Sequence, residues 1–259
     1  MHRKLSTILN QRPDPSTETP RHEPCDTTYS SACRDRLSLV LPMRADAGIA
    51  KLVAAGLPTL AVRIPDHPVA IGLLKAFDGP IAAPSANPSG RISPTTSAHV
   101  VDGLGSNINA VVDGGPCAVG LESTIVSCVG TPALLRAGGI PLEALEACLG
   151  VPLADPEDPE TPTAPGQLAS HYAPTGTVRL NVTEPRNDEV LLGFGAVNAA
   201  ITLSPAGDLI EAAARLFDCL HQMDAMGAVA IAVSPIPDHG LGRAINDRLR
   251  RAAAPRIEG

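Results

Sequence analysis

The sequence predicts an α/β protein in two parts: a mixed sheet with helices, joined by a proline-rich linker to a smaller, doubly wound domain of parallel strands. Three observations predict it. Short apolar runs and helical-period stretches before residue 150 do not alternate strictly, which implies some antiparallel pairs. The strand-like and helix-like stretches after residue 176 do alternate, which implies a parallel sheet. Between them, residues 151–176 carry Pro152, Asp155, Pro156, Glu157, Asp158, Pro159, Glu160, Pro162 and Pro165, the composition of an extended, semi-stiff linker.

The elements follow in order. Residues 1–36 are rich in Pro, Thr, Ser, Arg and Asp and poor in aliphatics, so a disordered arm is expected there. From Leu37 the texture turns apolar. Residues 37–41 read as a strand, 47–55 as a short helix ended by Gly56, and 59–64 as a strand with Arg63 near its end. Residues 67–77 form a helix with Val69, Leu73, Leu74 and Phe77 on one face. A strand at 81–83 leads through a small-residue loop to a helix over 95–104, with Ser93 as its N-cap and Pro94 at the first helical position. Strands are expected at 110–113, 123–128 and 133–136, and a helix at 142–149. After the linker come strands at 178–180, 189–193, 199–203 and 228–233, with helices over 209–223 and 244–253. The domains expected are thus an arm (1–36), a mixed-sheet domain (37–150), a linker (151–176) and a parallel domain (177–259).

Composition narrows the function classes. The 259 residues are 44% hydrophobic but only 2% aromatic, with no Trp, so the core is aliphatic and base-stacking platforms are scarce. Net charge is −7, and after residue 150 fourteen acidic residues face eight basic ones. That balance argues against a broad nucleic-acid footprint. The six cysteines form no C-x-x-C pair and no Cys/His cluster of zinc spacing, and reduced cytosolic thiols are expected. No apolar run is long enough to span a bilayer and no secretory leader opens the chain.

The chemistry-bearing residues cluster at strand ends. The loop 83–96 runs from a strand to a helix start through small side chains, an arrangement whose outward N–H groups suit an anion. Ser85 and Asn87 in it are short hydrogen-bonding groups that leave room for phosphate oxygens, or that merely shape the loop. Arg63 sits between Val62 and Ile64, either at the sheet's surface or as a planar fork for a carboxylate. Ser123 opens a strand after Gly120, and Arg136 ends one before Gly138-Gly139; each reads as a substrate contact or as local backbone satisfaction. His171 and Tyr172 lie in the linker, where no core requires an aromatic. The Gly240-Leu241-Gly242 turn lacks the spacing of a nucleotide fingerprint. Neither a Ser-His-Asp set nor a metal-ligand cluster is visible, so no catalytic side chain is assigned and the metal is left open.

In this order, the segments 60–65, 83–96, 113–117, 120–126 and 134–140 resemble the threonylcarbamoyl-AMP synthase family, whose catalytic part is a YrdC-like domain. The resemblance runs from Leu37 to about Gly150. Residues 164–174, with Ser170-His171-Tyr172-Ala173-Pro174, are similar to the linker of the two-domain members, and 203–208 and 240–248 to their Rossmann-like C-terminal domain. The resemblance implies a nucleotidyltransferase that makes threonylcarbamoyl-AMP and pyrophosphate from L-threonine, bicarbonate and ATP with Mg²⁺. It implies threonine binding by Arg63, Ala83 and Ser123, and ATP binding by Ser85, Asn87, Ser93 and Arg136. His171 and Tyr172 would form a strap shielding the labile anhydride from water. The product would pass in the cytoplasm to a complex that modifies adenosine 37 of tRNA, with no nucleic acid or membrane bound by this chain itself.

The N-terminus departs from the family pattern. Members carry Pro-Thr-Glu-Thr-x-Tyr-Gly and then Lys-x-Arg-Pro. Here Ser16-Thr17-Glu18-Thr19-Pro20 is followed by no Tyr-Gly, and Asn10-Gln11-Arg12-Pro13 comes before it. An atypical or truncated N-terminus is therefore expected, with apolar surface bared on Leu39, Leu41 and Val62. The alternative reading is a catalytically impaired homologue that binds nucleotide or threonine only. An RNA-binding module is disfavoured by the acidity and the lack of aromatics.

Overall fold

The structure of the protein, a computed structural model, describes residues 6–8, 36–155 and 170–255. The chain divides into two compact units, and neither is one continuous segment. The first is Met1–Ser85 with Ser123–Gln167; the second is Ala86–Glu122 with Leu168–Gly259.

The first unit is built on a six-stranded mixed sheet of order β4-β1-β3-β2-β5-β6. Its strands are β1 (Ser6–Ile8), β2 (Leu37–Pro42), β3 (Thr59–Arg63), β4 (Ile81–Ala83), β5 (Thr124–Ser127) and β6 (Ala133–Arg136). Pairs β1–β3 and β2–β5 are parallel, whereas β1–β4, β2–β3 and β5–β6 are antiparallel. The period-2 alternation of β2 sends Leu37 and Leu39 to one face, into a cluster with Val126, Cys128 and Leu145. Val40 goes to the other face, beside Ile125. Leu145 comes from helix α3 (Leu142–Leu149), which ends on Gly150 in the left-handed region at φ 71°.

Several expectations are corrected here. Within the arm 1–36, Ser6–Ile8 is a strand lying between β3 and β4; its β-branched Thr7-Ile8 is too short a signal to stand out in a polar segment. Most of the arm lies outside the described residues. Leu39 is buried rather than bared, while Leu41 and Val62 are half-buried. Residues 47–55 make turns, not a helix, because Gly48 takes φ 66° at the start and Gly56 N already closes onto Lys51 O. Helix α1 (Pro68–Phe77) buries only Leu74 of its apolar face, leaving Val69, Leu73 and Phe77 exposed. Cys128 is disulfide-bonded, so the expectation of reduced thiols fails there; Cys148 and Cys219 are free.

The second unit is built on a four-stranded, all-parallel sheet of order β7-β10-β8-β9. Its strands are β7 (Thr177–Arg179), β8 (Val190–Gly193), β9 (Ile201–Thr202) and β10 (Ala230–Val233). Helix α4 (Leu209–Ala225) buries Ala212, Ala213, Leu216, Phe217, Cys219, Leu220 and Met223, the stripe its 3.6-residue period predicts. Helix α5 (Leu241–Ala253) buries Ala244, Ile245, Arg248, Leu249 and Ala252.

The segment 86–122 supplies helix α2 (Ser97–Leu104) to this unit. Its N-cap is Thr96, which accepts from His99 N at 3.3 Å, not Ser93 as the sequence suggested, because the Ser93 hydroxyl is engaged elsewhere. Residues 110–113 are in no strand. Gly120 is forced by packing: a Cβ there would meet Ala214 O at 2.2 Å, so the segment lies against the backbone of α4.

Candidate functional site

In the first unit the strand ends bring four polar side chains into sequence. Ser38 stands directly opposite Arg63 in the β2–β3 ladder. The Ser38 and Ser123 hydroxyls share a hydrogen bond of 2.8 Å, and both residues are buried. Arg136 then reaches Ser123 from β6: its Nη2 donates to Ser123 O at 2.8 Å and to Ser123 Oγ at 3.2 Å, and its Nε to Ser123 O at 3.1 Å. The result is a hydrogen-bonded row of Ser38, Ser123 and Arg136, with Arg63 the ladder partner of Ser38.

The next residue secures the turn behind it. Thr124 Oγ1 donates to Ile140 O at 2.9 Å and accepts from Ile140 N at 3.0 Å, fixing the Gly138-Gly139 turn that follows Arg136. Ala83 is the last residue of β4, and Ser85, two residues on, is exposed. Ser38 was not singled out from the sequence. The signal was present: a lone hydroxyl in the aliphatic run Leu37-Ser38-Leu39-Val40-Leu41.

In the second unit Asn87 braces its loop, with Nδ2 donating to Pro88 O at 2.9 Å and Arg91 O at 3.1 Å. Ser93 is buried; its hydroxyl donates to Glu122 Oε1 at 2.7 Å, and its carbonyl lies 3.2 Å from His221 Nε2. His221 stacks on His99 at 3.9 Å. Burial first, and then the neighbouring His99, hold His221 below its ordinary pKa. The second Glu122 oxygen accepts from Arg248 Nε at 2.9 Å.

The linker pair belongs to this unit. Tyr172 is buried in contact with Phe217, ring centroids 5.3 Å apart, and with His171 at 4.0 Å. The expectation that no core calls for an aromatic here is thus corrected: Tyr172 is part of the second unit's core. Sequence reasoning also missed Arg248 and His221, which lie on helices where only the fold reveals their partners.

Fold and site together define an α/β protein of two units, one gathering arginines and hydroxyls at the strand ends of a mixed sheet, the other built on a parallel sheet. Comparison gives the class its family. The model of Sua5/YciO/YrdC proteins, described as telomere recombination, matches residues 19–138, starting ahead of Leu37 where the motifs become recognisable. The model of the threonylcarbamoyl-AMP synthase C-terminal domain matches residues 140–254.

A threonylcarbamoyl-AMP synthase of Bacillus subtilis is 38% identical over 244 residues, covering 85% of this chain and 70% of that one. One of Pyrococcus abyssi is 36% identical, covering 85% and 71%. The crystal structure of Pyrococcus abyssi Sua5 complexed with L-threonine superposes with a TM-score of 0.83 at 31% identity, covering 97% of this chain and 80% of that one. The chain belongs to the threonylcarbamoyl-AMP synthase family.

Proposed function

We propose that this chain is an L-threonylcarbamoyladenylate synthase. The observation that carries the reading is its likeness, along nearly the whole chain, to a relative solved with L-threonine. In the reaction, the threonine amine condenses with bicarbonate to a carbamate, and water is released. A carbamate oxygen then attacks the α-phosphorus of ATP, and pyrophosphate leaves. No side-chain nucleophile is required; catalysis is the alignment of two anions and the neutralisation of their charge.

Arg63, Ala83 and Ser123 hold threonine in this reading, and Ser85, Asn87, Ser93 and Arg136 serve ATP. Ser38 joins them as the residue that orients Ser123. Mg²⁺ arrives with the nucleotide as part of the substrate. Among the described residues no group of three or more His, Cys, Asp and Glu side chains is arranged to hold a metal ion. His171 and Tyr172 protect the acyl-adenylate from water; a solved double-alanine variant of Pyrococcus abyssi Sua5 at a consecutive His and Tyr supports attention to that pair. The product feeds a tRNA-modifying system in the cytoplasm; among the described residues no helix is long and apolar enough to cross a membrane.

A second reading, binding of nucleotide or threonine without turnover, is favoured by the missing Tyr-Gly after Thr19-Pro20. One experiment separates the two. Threonine, bicarbonate, Mg²⁺ and ATP are supplied, and pyrophosphate release is measured beside ligand-induced melting shifts. Threonine-dependent release establishes the synthase. Melting shifts without release establish the binding protein, and neither response overturns both.

A further inference from the structure

We propose that Arg248 is the positioning residue of the His171–Tyr172 strap, so that the C-terminal parallel domain acts in the reaction by setting that strap; this rests on the strap reading above. Four observations converge. First, Arg248 is 0% exposed, and a wholly buried guanidinium is costly unless paired. It is paired twice, Nε to Glu122 Oε2 at 2.9 Å and Nη1 to Asp247 Oδ2 at 2.8 Å. Its plane lies over the Tyr172 ring, 5.4 Å from the centroid, within reach of a cation–π contact.

Second, its buried Nη2 has no hydrogen-bond partner among the described residues. A site selected for packing alone is better filled by an apolar side chain of similar volume. Third, Tyr172 is 1% exposed yet holds φ 63°, a left-handed conformation a bulky residue keeps only where its surroundings impose it.

Fourth, α5 grips the pair at two points. Arg251 O accepts from His171 N at 3.1 Å, while Arg248, three residues earlier on the same helix face, covers the Tyr172 ring. On the far side Ala173 N donates to Gly90 O at 3.0 Å. The same guanidinium also reaches Ser93 through Glu122, whose other oxygen accepts the Ser93 hydroxyl at 2.7 Å. One arginine therefore ties the strap to the loop that carries the expected nucleotide residues.

The test uses the full chain with Arg248→Met, which keeps volume and apolar burial, and Arg248→Lys, which keeps charge but loses the fork and the plane. Amide hydrogen exchange at His171 and Ala173 is expected to quicken several-fold in both variants, while amides of α4 keep the parent rate. In single turnovers the lifetime of threonylcarbamoyl-AMP is expected to fall several-fold with the KM for threonine unchanged, Lys losing less than Met. Parent-like exchange at residues 171 and 173 overturns the proposal whatever the activity. So does a parental intermediate lifetime in a variant that folds. A parent chain that makes no adenylate overturns the function proposed above and leaves the exchange measurement to decide this one.

Discussion

Arg136 shows what a single side chain contributes on this scaffold. It spends three hydrogen bonds on Ser123, one of them to the hydroxyl already joined to Ser38. Arg136→Ala is expected to abolish any ATP-induced rise in melting temperature. It is also expected to lower ligand-free stability by about 1–3 kcal/mol, the usual net loss for a charged hydrogen bond. A nucleotide response equal to the parent's removes Arg136 from the site. Glu189 gives a prediction in pH. Arg179 holds it bidentately at 2.7 and 2.6 Å and Arg186 N donates to it at 2.8 Å. These bonds, Arg179's first, lower its pKa from 4.5 to about 2. A carboxylate so depressed stabilises the fold above the unfolded value and loses that contribution as pH falls from 4.5 toward 2. Glu189→Gln is therefore expected to flatten the acid limb of a stability profile over that window; a limb as steep as the parent's refutes the assignment. At this scale Arg63, Ser123 and Arg136 could be picked out from the sequence as candidates, since polar residues at apolar strand ends stand out. Ser38 was not, because its importance is a matter of ladder register, which no local pattern encodes.

Among the elements, the long periodic ones were read well and the short ones poorly. α4 and α5 announce themselves by stripes that bury whole faces, and the strands 37–41 and 133–136 by their aliphatic runs. Residues 47–55 hold enough alanine for a helix, but Gly48 and Gly56 leave too few residues between them for hydrogen bonds to repay nucleation. The first turn of α4 is capped by Asp208, whose Oδ1 accepts from Ile210 N at 2.6 Å and Glu211 N at 2.9 Å. Asp208→Ala is expected to cost about 1 kcal/mol, seen as a lower urea midpoint at unchanged slope. Gly120→Ala is the harsher change, since its methyl would meet the carbonyls of Ala213 and Ala214. It is expected to destabilise the second unit by more than the cap does, and a parental midpoint for Gly120→Ala contradicts the close approach.

For the molecule as a whole, the two-part α/β architecture was legible, but the partition of the chain was not. The sequence suggests a boundary at the proline-rich linker. The compact units instead exchange residues 86–122, which leave the first unit's numbering and join the second. No charged run in the sequence marks either Ser85 or Glu122 as a boundary. Among the described residues, the second unit also holds the larger set of fully buried side chains, including Leu192, Leu203, Leu216, Leu220, Met223, Ile231 and Ile245. Native-state hydrogen exchange is accordingly expected to release amides of β2 to β6 before those of α4 and β10. The reverse order would show that burial does not set the stability of these units.

That exchange of segments dictates how the protein must emerge from a ribosome. Glu122 waits for Arg248, 126 residues later, and Ser93 for His221, 128 residues later. At about 5–20 residues per second, the wait is roughly 6–25 s. Throughout it, the segment 86–122 is a nascent chain without the helices that cover it. The second unit therefore becomes whole only once α5 has been made. A product halted anywhere short of α5 leaves Glu122 without its guanidinium and offers cellular proteases and chaperones an unfinished surface.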